Sequence, residues 1–549
     1  MSKKLSPIEA IKIKSDGLRG TIKASIEEDN HSGTVRADDE ALVKFHGMYV
    51  QDNRDRRAER AAKKLDKLYS FMIRLRIPGG LIDAGKWLAI HDTSEQYGTG
   101  VLKITTRQTI QLHGILKHQL RPTLQSFDRA ALDAIAACGD VNRNVIASSH
   151  PLVSPAHARV HAYADKLSKH LLPKTQAYYE IFVDDQKIYE REAEQDDLYE
   201  NRYLPRKFKI AIAIPPANDV DVFANDIGLI AIIENGILQG FNIAIGGGLA
   251  RTHGNANTYS RLATVIGFLA SEEDVLKACY EVLTIQRDYG NREDRKLSRL
   301  KYTVDKLGLA TFKTILEERI GFALQPPRPY NFSERADADG WQQLPNERWY
   351  YTLQVEHGVV NPQQKAFLYE LAQLNICNFI FTANQNLLLG EIKPENKPIV
   401  EALLQKYRIQ LSLSGIRKNS MACVALPTCP LALAEGQRYL PELVSKIEPI
   451  LSKYAIEEEP ISIRMTGCPN GCGRSYLAEI GLVGTAAGEY NLMIGGDRFG
   501  LRLNQLYKEK IKEPEILTEI DKLLKIYVDE RKANETLGDF SYRKYFSKT

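Results

Sequence analysis

The stretch IRLRIPGGLIDAGKWLAI (residues 73–90) has a counterpart in YTLQVEHGVVNPQQKAFLYEL (residues 351–371). Arg76 aligns with Gln354 and Leu81 with Val359, an offset of about 278 residues. Further on, TTRQTIQLHGI (105–115) faces TANQNLLLGEI (382–392), where Arg107 aligns with Asn384. Each copy reads as strand, turn, helix, strand, because apolar alternation gives way to a turn and then to a helical period. A second unit also recurs. DIGLIAI (226–232) resembles EIGLVGT (479–485), and FNIAIGGG (241–248) resembles YNLMIGGD (490–497). The order is A, B, A′, B′, which makes the chain an α+β duplication with pseudo-twofold symmetry. The expected units are an N-terminal extension (1–65), whose charged stretch QDNRDRRAERAAKK (51–64) reads as a partner-docking segment or equally as a solvated helix face, then A (66–140), B (141–335), A′ (336–412) and B′ (413–549).

The rest of the chain bounds the function. At 549 residues, and about 150 per domain, three to four domains are expected. Hydrophobic residues make up 44% and charged residues 26%, the balance of an ordinary globular protein. The net charge of +4, from 73 basic and 69 acidic residues, is too small for a dedicated nucleic-acid binder. No run reaches the roughly 18 apolar residues of a membrane span; the run Ile227–Ile233 stops at Glu234 and Asn235. The opening MSKKLSPIEAIKIKSDG has no apolar signal core. Seven cysteines in so long a chain do not make a disulfide scaffold. A reducing cytoplasm is expected, and clustered thiols there point to metal.

Cys138, Cys279 and Cys377 are scattered and read as small buried residues. Cys423 and Cys429 form a C-x5-C pair, and Cys468 and Cys472 a C-x3-C pair. Four thiolates from two loops can close on an iron–sulfur cluster. The spacing departs from the C-x2-C pairs usual for zinc, although zinc and plain structural cysteines both stay open. Glycines and prolines beside these thiols let the backbone wrap a bulky group.

Cations are concentrated in the first copy. In LPRKFKIAIAIP (204–215), strand alternation puts Phe208, Ile210, Ile212 and Ile214 on one face and Lys207 and Lys209 on the other. In VLKITTRQTIQLHG (101–114), read as strand, Lys103, Thr105, Arg107, Thr109, Gln111 and His113 share a face. Arg74 and Arg76 share another, and CGDVNRNV (138–145) sets Arg143 in a turn-rich loop. Any one of these is equally a solvated face. Together they suggest an anion site in one half that meets the thiols of the other.

At this level of detail the chain resembles the sulfite/nitrite reductase family. The resemblance rests on KFHGMYVQDNRDRRAER, RLRIPGG, TTRQTIQ, GDVNRNV, YLPRKFK, IQRDYGNREDRK, ACVALPTCPLALAEGQRYLP and TGCPNGCGRSYLAEIGLVG. It spans nearly the whole chain. It implies two ferredoxin-like half-units and two larger α/β units that bind sirohaem coupled to a 4Fe–4S cluster. It implies that Cys423, Cys429, Cys468 and Cys472 ligate the cluster, with Cys472 also bridging to the sirohaem iron. It further implies that Arg76, Arg143, Lys207 and Lys209 bind the substrate anion, and that Arg107, Gln111, Arg206 and Lys301 hold sirohaem carboxylates.

The implied reaction is the six-electron reduction of sulfite to sulfide, in sulfate assimilation and cysteine biosynthesis. Arginine keeps its proton and lysine can release it, so Lys207 and Lys209 suit proton delivery. Backbone N–H groups near Asn470 could bond cluster sulfurs, and simple turn geometry explains Asn470 equally well. A sirohaem nitrite reductase is the close rival, and Lys209, where such enzymes usually carry asparagine, favours sulfite. A non-redox zinc protein is the distant rival. IGGGLARTHG lacks a dinucleotide turn, so electrons must come from another protein. The resemblance implies an NADPH-dependent flavoprotein alpha subunit in a hetero-oligomer, with ferredoxin as the alternative donor. Two departures stand out: Ile146 and Ala147 follow the NRNV motif where some members carry cysteine, and Lys103 stands where arginine is expected.

Overall fold

The computed structural model describes residues 5–28, 33–149, 153–174, 180–183, 186–190, 196–409 and 413–547. Residues 1–4 of the opening stretch lie outside them. Four sheets of four or five strands build the described chain, with a two-stranded ribbon at Glu180–Val183 and Gln186–Glu190.

The first sheet runs Met48–Asp52, Tyr69–Arg74, Thr109–Ile115, Leu102–Thr105. Its strands follow the alternation of Phe71, Ile73, Leu112 and Ile110, all buried. Met48–Asp52 pairs antiparallel with Tyr69–Arg74, so the N-terminal extension does not reach residue 65. The stretch read as one cationic strand is a hairpin. Leu102–Thr105 and Thr109–Ile115 flank a turn, with Lys103 opposite Gln111 and Thr105 opposite Thr109. Cross-strand partners point to one side, so these side chains share a face for a different reason than alternation.

The second sheet runs Gly340–Gln343, Trp349–Leu353, Leu387–Ile392, Asn378–Phe381 and then takes Leu81–Ile82 from the first half. The loan is reciprocal: Val359, the counterpart of Leu81, bridges to Lys103 of the first sheet. The turn glycines before these segments explain the close approach. Gly80 (φ +79°) lies against the Phe381 carbonyl and Gly358 (φ +77°) against the Ile104 carbonyl, so neither leaves room for a Cβ. Asp83 caps the helix Ala84–Tyr97, accepting from Lys86 N at 2.8 Å, and Asn361 caps Pro362–Leu374 likewise. These helices pack together, and Trp87 stacks on Phe379 at 5.2 Å. The two ferredoxin-like units thus share one core.

The two larger sheets have the same topology. One runs Ile146–Ala147, Ile210–Ala213, Ile227–Glu234, Ile237–Ile245, Thr264–Leu269. The other runs Ser420–Ala422, Ile463–Thr466, Ile480–Ala486, Glu489–Ile494, Gln505–Ile511. In each, the first three strands are parallel and the last two antiparallel. Ile210 pairs with Ile227 as Ile463 pairs with Ile480. The buried acids at the head of the matched strands do equivalent work: Asp226 accepts from Lys209 N at 2.9 Å, and Glu479 from Ser462 N at 2.9 Å. The matched residues Asp221 (φ +49°) and Arg474 (φ +54°) meet across the pseudo-twofold axis, 2.8 Å apart. Arg335 and Arg464 complete a set of three buried arginines on Asp221. Among the described residues, no helix is long and apolar enough to cross a membrane.

Candidate redox and anion site

Two neighbouring parallel strands, Ser420–Ala422 and Ile463–Thr466, end at the same edge of their sheet. The loops that leave them carry Cys423 and Cys429, and Cys468 and Cys472. All four thiols are free; Cys468 is buried, Cys423 and Cys429 are half-buried, and Cys472 is exposed. Cys423 Sγ accepts from Gly467 N at 3.3 Å, and Cys468 Sγ from Asn470 Nδ2 at 3.4 Å. Asn470 therefore reaches a thiol through its side chain, not only through the backbone. Burial and the neighbouring Cys472 push the Cys423 thiol up to about 12 and the Cys429 thiol up to about 11. The four sulfurs thus lie within electrostatic reach of one another. Among the described residues, no three Cys, His, Asp or Glu side chains converge as they would on a single ion. Four free thiols on two adjoining loops, with amide donors on Cys423 and Cys468, fit an iron–sulfur cluster.

The first half closes on this loop. Thr106 Oγ1, in the hairpin turn, donates to the Cys472 carbonyl at 3.2 Å, and Arg251 N to the Pro469 carbonyl at 2.8 Å. Arg54 donates to the carbonyls of Pro430 (2.6 Å) and Ala432 (2.7 Å), bracing the loop around Cys429. Lys207 and Lys209 leave the start of the Ile210–Ala213 strand, and both feel the Cys472 sulfur. Phe208, Ile210, Ile212 and Ile214 pack into one core, as alternation requires, while Ala211 and Ala213 face a second core cluster. Burial and Arg206 push Lys207 down to about 7, and burial and Lys207 push Lys209 well below the usual lysine range. Lys103 falls to about 8 through burial. Among the described residues, no carboxylate pairs with Lys103, Lys207 or Lys209. Lysines crowded without counter-charge, and so ready to take up protons beside an anion, make a binding site for an anion and for a polycarboxylate cofactor.

The remaining expected residues divide. Arg143 is buried and donates through Nε to the Gly139 carbonyl at 2.7 Å, and its charge acts on the Tyr49 hydroxyl. Gln111 is buried between Arg74 and His113, and the orientation of its amide that satisfies both neighbours puts the oxygen 3.0 Å from Arg74 Nε and the nitrogen on His113 Nε2. Burial, with Lys103 and Arg74, keeps His113 neutral. Arg76 is drawn away: it donates to Asp133 Oδ2 at 2.6 Å and to Ser168 Oγ at 3.1 Å. Arg74 instead lies within reach of Cys138, Cys429 and Cys472. Arg107 is committed to Asn225 Oδ1 (2.7 Å) and to the carbonyls of Ile210 (3.1 Å) and Asn144, with only its Nε left over. Arg206 stands 3.9 Å from Asp140. Lys301 donates to the carbonyls of Ala250 (2.8 Å), Gly248 (3.2 Å) and Tyr259, and lies over the Tyr302 ring.

Sequence reasoning missed Tyr49, Arg54, Asp226 and Arg299, and it named Arg74 only as the companion of Arg76 on a shared face. Asp226 is fully buried, holds the Lys209 backbone and accepts from Arg299 at 2.7 Å. Its signal was the acid that opens both DIGLIAI and EIGLVGT. Arg54 lay within a charge run that looks like a solvated helix face.

The chain belongs to the nitrite and sulphite reductase family. The family's ferredoxin-like half domain matches residues 63–130 and 342–407, and its nitrite and sulphite reductase 4Fe-4S domain matches 162–324. The second match falls on the copy without the paired cysteines, while the copy that carries them repeats its sheet topology. Among curated proteins, the chain is 55% identical over 549 residues to a "Sulfite reductase [NADPH] hemoprotein beta-component" of Leptospira biflexa, covering 99% of each chain. A protein of that name from Acidithiobacillus ferrooxidans is 50% identical, covering 98% of this chain and 96% of its own. Among solved structures, the Mycobacterium tuberculosis NirA protein matches with a TM-score of 0.80 at 24% identity, over 98% of this chain and 97% of that one, a likeness of fold. The chain is thus a redox enzyme of the sulfite/nitrite reductase type, and the family's cofactors are sirohaem and a 4Fe–4S cluster.

Proposed function

We propose that the chain is the haemoprotein component of an assimilatory sulfite reductase, which reduces sulfite to sulfide. The observation that carries the reading is the juxtaposition of Cys472, on a four-thiol loop pair, with the uncompensated Lys207 and Lys209. In this reading Cys423, Cys429, Cys468 and Cys472 hold the cluster, and Cys472 also serves the sirohaem. Arg206, Gln111 and Lys103 face sirohaem carboxylates; Arg107 and Lys301 shape the pocket through the carbonyls they bind. The cofactors supply the electrons, one at a time, to sulfite.

The chain's own residues then bind and protonate. Sulfite takes up six electrons and six protons, and its three oxygens leave as water. Arg143 and Arg74 stay charged and neutralise the anion. Lys207, held near neutrality by burial, charges when the anion settles against it and can return that proton to a departing oxygen. Asp226 fixes the backbone from which Lys209 projects.

The relatives' shared name supports an NADPH-linked partner, a flavoprotein alpha subunit in a hetero-oligomer, as the donor. Seven unpaired cysteines support a cytoplasmic setting. The duplicated sheets support the division at 66–140, 141–335, 336–412 and 413–549, with Met48–Asp52 added to the first unit.

The test is a visible spectrum of protein purified from a sirohaem-producing host, with iron and acid-labile sulfide assayed on the same sample. A haem-type spectrum with about five irons per chain and a sulfite-dependent shift on reduction are expected. Zinc in place of iron would sink the reading; faster turnover of nitrite than sulfite would transfer it to the rival enzyme.

A further inference from the structure

The N-terminal helix Pro7–Ile13 carries two ionisable side chains into the interior of the first half. Glu9 and Lys12 are each 1% exposed. Lys12 Nζ donates to Glu9 Oε1 at 2.5 Å and to the Leu204 carbonyl at 2.8 Å, and stands 3.8 Å from Asp140 Oδ2. Arg292 pairs with Glu9 and donates to the Tyr203 carbonyl at 2.7 Å. Arg295 grips both oxygens of the buried Asp140, at 2.7 and 2.9 Å, and donates to the Pro205 carbonyl at 3.3 Å. Three successive carbonyls, at 203, 204 and 205, therefore each meet a different cation. The next residues in the chain are Arg206 and Lys207. Leu204 N donates in turn to the Asp140 carbonyl at 3.0 Å, and Phe208 N to Val141 at 3.0 Å, which ties the segment to the loop of Arg143.

An ionic network buried this deeply is a costly way to hold a fold together, since apolar packing of similar volume usually does as well. What it does provide is direction. Lys12, Arg292 and Arg295 each end on a carbonyl of the backbone that presents the cations of the anion site, and Glu9 and Asp140 hold those three side chains in place.

We propose that helix Pro7–Ile13 is a positioning element of that site: Glu9 and Lys12, with Arg292, Arg295 and Asp140, fix the 203–209 segment so that Lys207 and Lys209 converge on the bound oxyanion. The inference rests on the sulfite reading and gives the N-terminal helix a role inside the enzyme, where the sequence suggested partner docking for residues 1–65.

The test compares wild-type holoenzyme with Lys12→Met and with Lys14→Met, an exposed lysine of the same segment, using sulfite as the probe. Optical titration of the reduced sirohaem gives the dissociation constant, and reduced methyl viologen drives turnover without any partner protein. Lys12→Met is expected to weaken sulfite binding by about 10- to 100-fold, the usual effect of removing a group that orients a ligand-holding residue. KM should rise by more than kcat falls, Lys12→Arg should recover part of the loss, and Lys14→Met should match wild type. Amide exchange should quicken at Leu204, Phe208 and Lys209 and stay unchanged at Ser462 and Ile480. Unchanged sulfite affinity and exchange in Lys12→Met, with loss confined to NADPH-driven turnover through the flavoprotein, would overturn the proposal and leave the N-terminal segment a partner-docking role. If Lys12→Met does not fold, Glu9→Gln carries the same readouts, and its matching wild type in both would equally overturn it. A wild-type protein that binds no sulfite defeats the functional reading alone, because the exchange pattern still decides whether the helix positions the segment.

Discussion

Arg74 and Arg76 stand two residues apart in one motif and end in different places. Alternation puts both on one face only while the strand continues, and the strand ends at Arg74. Beyond it, Arg76 forms an isolated bridge with Asp133 and keeps that carboxylate as its partner. A motif that reads R-x-R cannot say which arginine stays on the sheet. Arg74→Gln is expected to raise the sulfite dissociation constant by about 10- to 100-fold, the worth of one charge-assisted hydrogen bond. Arg76→Gln should lower the unfolding midpoint slightly and leave sulfite affinity near wild type; optical titration of both variants checks this, and the reverse pattern would return Arg76 to the site. The four cysteines, by contrast, were legible because their pairing is local in sequence. Lys207 and Lys209 were legible because a two-residue period runs through the segment that leads into the Ile210–Ala213 strand. Asp226 and Arg299 were not, since their work is to hold a backbone group that only the folded chain brings near.

At the scale of elements, the reciprocal loan of Leu81–Ile82 and Val359 depends on two glycines. Each sits at positive φ against a backbone carbonyl of the other half, and a carbonyl cannot swing aside as a side chain can. Gly80→Ala and Gly358→Ala should each cost about 2–4 kcal/mol, from left-handed strain plus overpacking. Urea midpoints with the cofactor-loaded protein would measure it, and Gly17→Ala, where no atom would meet the added Cβ, is the control for φ alone. The repeat of these segments was legible, because their helices keep Asp83 and Asn361 as caps and the same apolar spacing. The exchange of strands was not: two residues carry too little pattern to reveal which sheet they join. The Thr106–Gln108 turn was hidden for another reason. It contains no Gly, Pro, Asn or Asp, and Gln108 accepts a φ of +50° while its amide bonds the Ala147 backbone at both ends, at 2.7 and 2.8 Å. Tertiary hydrogen bonds there replace the usual turn residues.

At the scale of the whole molecule, two buried carboxylates each gather several cations. Burial works against the charge of Asp140, yet Arg295 and Lys12 outweigh it and hold its pKa at about 2. Burial likewise opposes Asp221, whose three arginines hold it lower still. A carboxylate depressed in the folded state gives stability that is complete above its unfolded value, near 4, and lost as pH falls through the folded value. Asp140 alone then accounts for about 2 kcal/mol, which disappears between about pH 4 and pH 2. Asp221→Asn, which strands Arg335, Arg464 and Arg474 in the interior, should cost about 3–5 kcal/mol at neutral pH. Its thermal midpoint should fall well below wild type at pH 7, and the gap should narrow as both are acidified; a constant gap would show that Asp221 is not charged in the native state. The A, B, A′, B′ order was legible, but the meeting of Asp221 with its own counterpart Arg474 was not, because matched positions need not touch. That contact has a meaning for descent. In a symmetric pair of identical chains, one residue type would have to face itself across the axis, and every change would occur on both sides at once. Joining the copies into one polypeptide releases that restriction: one side of the axis is free to become acidic and the other basic, one to keep thiols and the other to collect lysines.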